Sequence, residues 1–490
     1  MNSLPAWSGG EFLEGLRARL PDDGLLVDPE QLRPYESDGL TLYRQLPRAV
    51  TLPATVTEVA AVLDWCHRHD VPVVPRGAGT GLSGGALPHA EGVVLSLARL
   101  DRIIEVDPLA RTATVQPGVR NLSISEAARS HGLYYAPDPS SQVACSIGGN
   151  VAENSGGVHC LKYGLTLHNV LRLRGLTVAG EPVEFGGLAP DAPGLDLLPL
   201  VVGSEGMLAV VTEVTVRLVP VPHLARCIMA SFASVETAGD AVAAVVAAGI
   251  IPAGLEMLDR AAIQLVEPFA RAGYDLQAEA VLLCESDGTE AEVVEEIGRM
   301  SEVLTAAGAI RLQVSADEAE RLRFWAGRKN AFPAAGRAAP AYYCMDGTIP
   351  RRHLGRMLRA IQAMERRHGL RCPNVFHAGD GNLHPLILFD DGDPDSVARA
   401  EAFGAEILAE SVRLGGTITG EHGVGVEKID QMCQQFDDDT REAFFAVKRA
   451  FDPAGTLNPG KAIPTLHRCA ELGGMRVTGE RQAFAELPRF

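Results

Sequence analysis

Three short stretches crowded with glycine constrain this chain more than any other feature of its sequence. The first is PRGAGTGLSGG, from Pro75 to Gly85. The second is SIGGNVAENSGG, from Ser146 to Gly157. The third is GSEGML, from Gly203 to Leu208. Glycine leaves backbone N–H groups uncovered and lets the chain approach a ligand closely. A run of such groups makes a concavity suited to an anion. A single loop of this kind is also what an ordinary surface turn looks like. Three within one region suit a long cofactor lying across several strand ends. The string Gly79-Thr80-Gly81-Leu82-Ser83-Gly84 matches G-x-G-x-x-G, but a Rossmann site also needs a helix opening within the motif. Here Pro88 follows and GVVLSL reads as strand, so a nicotinamide-binding Rossmann unit is rejected.

The flanking pattern is mixed α and β. Val56 to His69 has helical spacing behind a capping Thr55 or Thr57. Short strands are expected at Arg48 to Ala54, Val71 to Val74 and Gly92 to Leu97, with a hairpin from Ile103 to Val115 turning at Asp107-Pro108. After Pro220 and Pro222 the texture changes, and strands such as CIMASF and AVLLCES alternate with long helices. The expected organisation is a helical lead-in over 1–45, a first α+β domain over 46–222, a second over 223–415 with an antiparallel sheet, and a helical C-terminal segment over 416–490.

Composition excludes several classes. Lys and Arg number 44 against 62 Asp and Glu, for a net charge of -18, so a phosphate-tracking basic surface and a nucleic-acid partner are not expected. The most apolar stretch, Ala238 to Leu255, contains Asp240 and Pro252 and falls short of the ~20 apolar residues of a spanning helix. The N-terminus lacks the pattern of a secretory signal. None of the nine cysteines forms a C-x-x-C pair, which excludes the common iron–sulfur ligand runs and suits reduced thiols in the cytoplasm. A cytoplasmic protein is expected, at most peripheral at the inner membrane.

Together the three motifs resemble the FAD-binding domain of the vanillyl-alcohol oxidase/p-cresol methylhydroxylase flavoprotein superfamily, over about 46 to 222. The resemblance implies FAD held non-covalently between two α+β subdomains. Arg76, Gly77, Ala78, Gly79, Thr80, Gly81 and Ser83 would hold its pyrophosphate, with Gly84 beside them. Pro137, Ser146, Gly149 and Asn150 would lie along the cofactor, in a segment that also carries Asp138, Asn154 and Gly156. Glu205, Gly206 and Val211 would approach from the third segment, and Asn458 from the terminal turn.

Most of the thirteen histidines have ordinary surface readings. Those of VFHAGDGNLHP and TITGEHGVG do not. His377 and His384 are seven apart, an offset that puts them on opposite faces of one straight strand. Gly379-Asp380-Gly381-Asn382 between them is a strong turn signal, and a reversal there brings both imidazoles together. Glu421 and His422 are flanked by glycines. Two histidines and a carboxylate make a reasonable site for a divalent transition metal; the alternative is a hydrogen-bonded structural cluster.

These segments resemble the C-terminal domain of the FAD-linked oxidases, the family of D-lactate, D-2-hydroxyglutarate and glycolate dehydrogenases. The resemblance implies a divalent ion, zinc or manganese, on His377, His384 and Glu421. It implies His422 as base, Asn382 at the substrate, and Arg328 as anchor of the substrate carboxylate, with Lys329 as the neighbouring alternative. In the 2-hydroxyglutarate branch a threonine and a lysine stand where Phe332 and Met345 stand here, which favours a short acid with one carboxylate. NAFPAAGR, YYCMDGTIP and the ending NPGKAIPTLHRCAELGGM resemble the glycolate-oxidising branch. Glycolate is the implied substrate, with D-lactate a slower one. The implied partners are a second FAD-domain subunit and an iron–sulfur subunit, in keeping with a chain that has no cluster ligands of its own. Two alternatives stand beside this reading: a D-lactate dehydrogenase acting alone, and a non-catalytic flavin-binding subunit.

Overall fold

The computed structural model describes residues 9–189 and 194–464. The first eight residues, Cys469 and most of the chain ending fall outside that range. Short strands rich in Val and Ile, separated by Gly and Pro, build three main sheets. The first runs Leu25–Leu26, Ala49–Thr51, Val93–Ser96, Val73–Arg76, and the last three strands are parallel. Helix Val56–Arg68 packs on it through Val59, Val62, Leu63 and Cys66. The expected cap is present: Thr55 Oγ1 accepts the Glu58 N–H at 3.2 Å, and the Glu58 carboxylate accepts the Thr55 N–H at 3.2 Å, satisfying two of the helix's orphan donors.

The second sheet is antiparallel and runs Ile103–Asp107, Thr112–Val115, Val210–Arg217, Val170–Leu176, Pro182–Gly186. Asp107 Oδ1 accepts from Leu109 and Ala110 N–H, closing the expected turn. No helix follows strand Val73–Arg76 directly; a loop leads instead to Val93–Ser96, its parallel neighbour. The second glycine stretch instead forms helix Ile147–Glu153, with Ser146 as N-cap and Asn154 as a left-handed C-cap at φ 55°.

The third sheet has seven antiparallel strands, in the order Arg311–Val314, Leu224–Phe232, Ala280–Gly288, Gly254–Asp259, Asn374–His377, Asn382–Phe389, Ala341–Cys344. Both faces are covered. Leu255 and Met257 face helices Val235–Ala247, Leu354–His368 and Pro394–Arg413, while Leu258 faces Arg260–Ala270 and Glu318–Lys329. The apolar stretch at 238–255 is therefore the end of one helix and the start of a strand, and among the described residues no helix is long and apolar enough to cross a membrane. Cys66, Cys145, Cys160, Cys227, Cys284, Cys344 and Cys372 are free thiols, whereas Cys433 is disulfide-bonded, which departs from an all-reduced set.

The C-terminal segment returns to the first sheet. Helix Asp438–Phe451 is followed by a turn in which Asp452 accepts from the N–H groups of Gly455, Thr456 and Leu457. The Val73 N–H then donates to Thr456 O at 2.8 Å, and the Asn458 N–H to Val73 O at 2.7 Å.

Candidate active site

A cleft of about 440 Å³ runs between the first two sheets and ends against the third. Its walls at one end are Arg76, Gly77, Ala78, Gly79, Thr80 and Gly81, then Ser146, Gly149 and Asn150, and Glu205, Gly206 and Val211. At the other end stand His384, Glu421 and His422, with Lys329, Phe332 and Tyr342. Glycine is required where the backbone folds closest. A side chain at Gly77 would collide with Ser146 Oγ, and one at Gly79, where φ is +72°, with the Arg76 guanidinium. Arg76 itself is oriented from outside by Ser37 O at 2.7 Å.

Other expected cofactor residues frame the cleft without lining it. Ser83 O accepts the N–H groups of Val426 and Glu427, and Gly84 lies against Val426. Pro137 O accepts from Asn121 Nδ2. Asn154 Oδ1 accepts the Leu167 N–H at 2.9 Å. Asn458 Nδ2 donates to Gly85 O at 3.0 Å and Glu205 O at 2.6 Å, joining two of the glycine loops. Gly156 lies against the Glu421 carboxylate, 2.5 Å from where a β-carbon would sit. Asp138 is engaged elsewhere: its carboxylate pairs with His159 Nδ1 at 2.7 Å, and His159 Nε2 reaches Glu285 at 3.2 Å across to the third sheet.

The imidazole pair follows from register. His377 is opposite Asn382, and His384 is opposite Val375, in the hairpin Asn374–His377/Asn382–Phe389. Cross-strand partners share a face and residues two apart share a face, so His377, Asn382 and His384 lie on one side. Gly381, at φ +85°, makes the reversal, and its N–H donates to His377 O at 3.0 Å. The two rings sit 4.8 Å apart at 83°. Both Nε2 atoms converge on Glu421 Oε1, at 3.1 Å from His377 and 2.9 Å from His384. His422 stacks on His384 at 5.0 Å with 4° between the planes.

Two carboxylates hold this cluster. Glu256 Oε1 is 2.7 Å from His377 Nδ1, and Glu256 Oε2 accepts from Arg328 Nε at 2.6 Å. Asp346 accepts the N–H groups of Gly420 at 3.1 Å, Glu421 at 3.2 Å and His422 at 2.9 Å, and the Thr419 hydroxyl at 2.5 Å. The wholly buried Lys428 lies 3.5 Å from it. Burial works against the charge on His377, but Glu256 and Glu421 raise its pKa well above the usual value. Burial likewise works against the charge on Glu421, which His377 and His384 hold well below the carboxylate range. His422 is pushed down to about 4 by burial, which with the positive potential of His384 and Lys428 outweighs Asp346. Its ring is therefore neutral at pH 7.

Arg328 is not on the cleft wall. It is 2% exposed and ion-paired with Glu256, and its Nη2 is buried without a partner. Lys329 reaches the cleft instead. Asn382 is buried against Gly420, with Oδ1 unpartnered. Met345 does not face the site: strand alternation turns it into the core against Gly404, while Tyr342, on the other face, lines the cleft and meets Phe332 edge-on at 5.7 Å. Sequence reasoning missed Glu256, Asp346, Lys428 and the cleft-lining Asp38 and Glu153. GLEMLD and YESDG carry no motif that marks them; buried charge in strand or loop was the only signal.

A glycine-walled cleft ending on histidines and carboxylates defines a flavin-dependent oxidoreductase. Residues 47–186 match the FAD binding domain and residues 221–462 the C-terminal domain of FAD linked oxidases; the chain belongs to the FAD-linked oxidase family. It is 57% identical over 488 residues to glycolate oxidase subunit GlcD of Escherichia coli K12, covering 100% of this chain and 98% of that protein. It is 40% identical to glycolate oxidase subunit GlcD of Bacillus subtilis 168, over 87% of this chain and 91% of that one. It is 32% identical to D-lactate dehydrogenase of Anaerostipes hadrus, over 89% and 94%. The fold is shared with p-cresol methylhydroxylase, at a TM-score of 0.79 and 19% identity over 94% of this chain and 97% of that one. It is also shared with 4-ethylphenol oxidase of Gulosibacter chungangensis, at 0.77 and 16% over 95% and 99%.

Proposed function

We propose that this chain oxidises glycolate to glyoxylate with FAD, as the catalytic subunit of a multi-subunit dehydrogenase. One observation carries the reading: His377, His384 and Glu421 converge at the end of a glycine-lined cleft, with a neutral His422 stacked beside them. The relatives named as glycolate oxidase subunits, matched over nearly their whole length, support it.

The residues fit both groups the reading requires. Backbone N–H groups of the first glycine loop and of the Ser146-capped helix would hold the FAD pyrophosphate. Two imidazole nitrogens and a carboxylate oxygen, all within 4.8 Å of one another, would hold a divalent ion such as zinc or manganese. FAD, when bound, supplies the acceptor for the hydride lost from C2 of the substrate. A cation at the histidine–carboxylate cluster supplies positive charge that lowers the pKa of a nearby hydroxyl.

This chain's own residues do the rest. His422 takes the hydroxyl proton, which its neutral ring can accept. Glu256 keeps the Nδ1 proton on His377 and so leaves Nε2 free for ligation. Asp346 holds the loop that carries Glu421 and His422. The Lys329 ammonium on the cleft wall meets the substrate carboxylate, while Arg328, buried behind it, holds Glu256 in place. Phe332 and Tyr342 close the far wall with apolar surface, where a second carboxylate would lie uncompensated.

Electrons leave through partners, for which we propose a second FAD-domain subunit and an iron–sulfur subunit. Anaerobic mixing of the metal-analysed, flavin-loaded protein with glycolate, D-lactate and D-2-hydroxyglutarate tests the reading. Flavin bleaching fastest with glycolate is expected. Faster bleaching with D-lactate would favour the lactate alternative, and no bleaching with any of them would refute catalysis.

A further inference from the structure

Three carboxylates from three separate elements meet beside the cleft: the buried Asp38 from the N-terminal segment, the half-buried Glu153 from the end of helix Ile147–Glu153, and the buried Glu205 from the third glycine motif. They are not equivalent. Glu205 accepts the N–H groups of Val424 and Gly425, each at 2.7 Å; burial raises its pKa, and these two donors oppose the rise. Asp38 accepts the Leu40 N–H at 3.0 Å. Glu153 has no such support, and its Oε2 is buried with no hydrogen-bond partner.

Space is nevertheless kept for this side chain. A β-carbon on Gly85 would lie 2.7 Å from Glu153 Oε1, and one on Gly423 would collide with Oε2. Gly423 directly follows His422, so Glu153 stands on the cleft wall beside the loop that carries His422. A carboxylate without donors, beside the second carboxyl of Glu205, is a costly arrangement; a neutral carboxylic acid is not, provided its O–H finds an acceptor.

We infer that Glu153 positions the cofactor by hydrogen-bonding the flavin ring through a protonated carboxyl. The inference rests on the proposed placement of FAD in this cleft. The flavin ring offers carbonyl and ring-nitrogen acceptors, and its N3–H can donate to the acid's carbonyl oxygen in return. The surroundings favour the protonated form: burial first, then repulsion from Glu205 and Asp38, with Asp346 adding to it and Lys428 opposing, raise the Glu153 carboxyl well above the ordinary range. A donor to a flavin carbonyl also strengthens as the ring gains negative charge on reduction, so Glu153 makes the bound flavin easier to reduce.

The test uses FAD titrations of the apoprotein, redox titration of the holoprotein, and reduced-minus-oxidised infrared difference spectra. Glu153→Gln keeps a neutral donor and acceptor, and should bind FAD within about threefold of the parent. Glu153→Met keeps the shape and removes both, and should weaken FAD about tenfold or more, as the loss of one well-made buried hydrogen bond does, and lower the flavin midpoint potential. The parent's difference spectrum should show a protonated carboxyl C=O band that shifts on flavin reduction and is missing in Glu153→Gln; this readout decides even where Glu153→Met does not fold. A parent apoprotein that takes up no FAD would sink the placement of the cofactor itself. A parent that binds FAD while Glu153→Met matches it in affinity and potential, or an infrared band absent from the parent or unchanged in Glu153→Gln, would overturn the role of Glu153 alone.

Discussion

The Asp346 carboxylate accepts the backbone N–H of His422 at 2.9 Å, so one strand-end acid sets the position of a loop 76 residues away in sequence. The same carboxylate takes the N–H groups of Gly420 and Glu421 and faces the ammonium of Lys428. Three backbone donors and a buried cation on one side chain make the TGEHG loop a fixed part of the third sheet's edge, not a surface excursion.

Replacing Asp346 by Ala should therefore destabilise the protein by roughly 3–5 kcal/mol, because Lys428 loses a charge partner inside the fold. Equilibrium urea unfolding measures it, and a change below about 1 kcal/mol would show that the loop holds itself in place.

The same acid gives the protein an acid limb. Against burial, His422, Lys428 and His384 lower the Asp346 pKa from 3.8 to about 2. A depressed carboxyl contributes stability that is fully present above its unfolded value and is lost as pH falls through the folded one. Stability should decline from about pH 4 toward pH 2, and Asp346→Asn should flatten that decline in melting curves taken across the window. An unchanged slope would put the acid limb elsewhere.

His422→Asn should slow flavin reduction by glycolate by about 10²–10⁴-fold, the range for loss of a positioned general base, and leave FAD binding unchanged. Stopped-flow flavin absorbance reads the first and an FAD titration the second. A rate within threefold of the parent would remove the proton-accepting role from this imidazole.

Glu256→Gln should weaken the metal about 10–100-fold, as outer partners of ligating histidines do, because it unsettles the Nδ1 proton of His377 and leaves Arg328 without a counter-charge. Competition with a chelator, followed by metal analysis, gives the affinity directly. Exhaustive chelation of the parent should abolish glycolate-dependent bleaching, and zinc or manganese should restore it. Retention of full activity in metal-free protein would favour a purely hydrogen-bonded cluster.

Much of the fold is legible in local pattern. The Thr55 cap, the Asp107 turn and the hairpin reversal at Gly379–Asn382 each depend on neighbours a few residues away, so they can be read before any tertiary contact is known. Arg328 shows where that stops. Its type suits a carboxylate anchor, but Glu256, 72 residues earlier, claims its Nε and draws it off the cleft wall. Met345 lies just past the strand Ala341–Cys344 and packs in the core, while Tyr342 on that strand lines the cleft; residues an odd number apart on extended chain point to opposite faces.

By itself the sequence determined the loops suited to a long cofactor, the mixed α and β architecture and the meeting of His377 and His384 at one hairpin, because glycine spacing, strand alternation and turn chemistry are short-range properties; FAD and the pairing with Glu421 entered through family resemblance. Only the tertiary structure decided which acids are ionised, which are silent partners and which cation reaches the cleft. Those outcomes depend on burial and on charges brought together from distant strands, and a local motif carries no record of either.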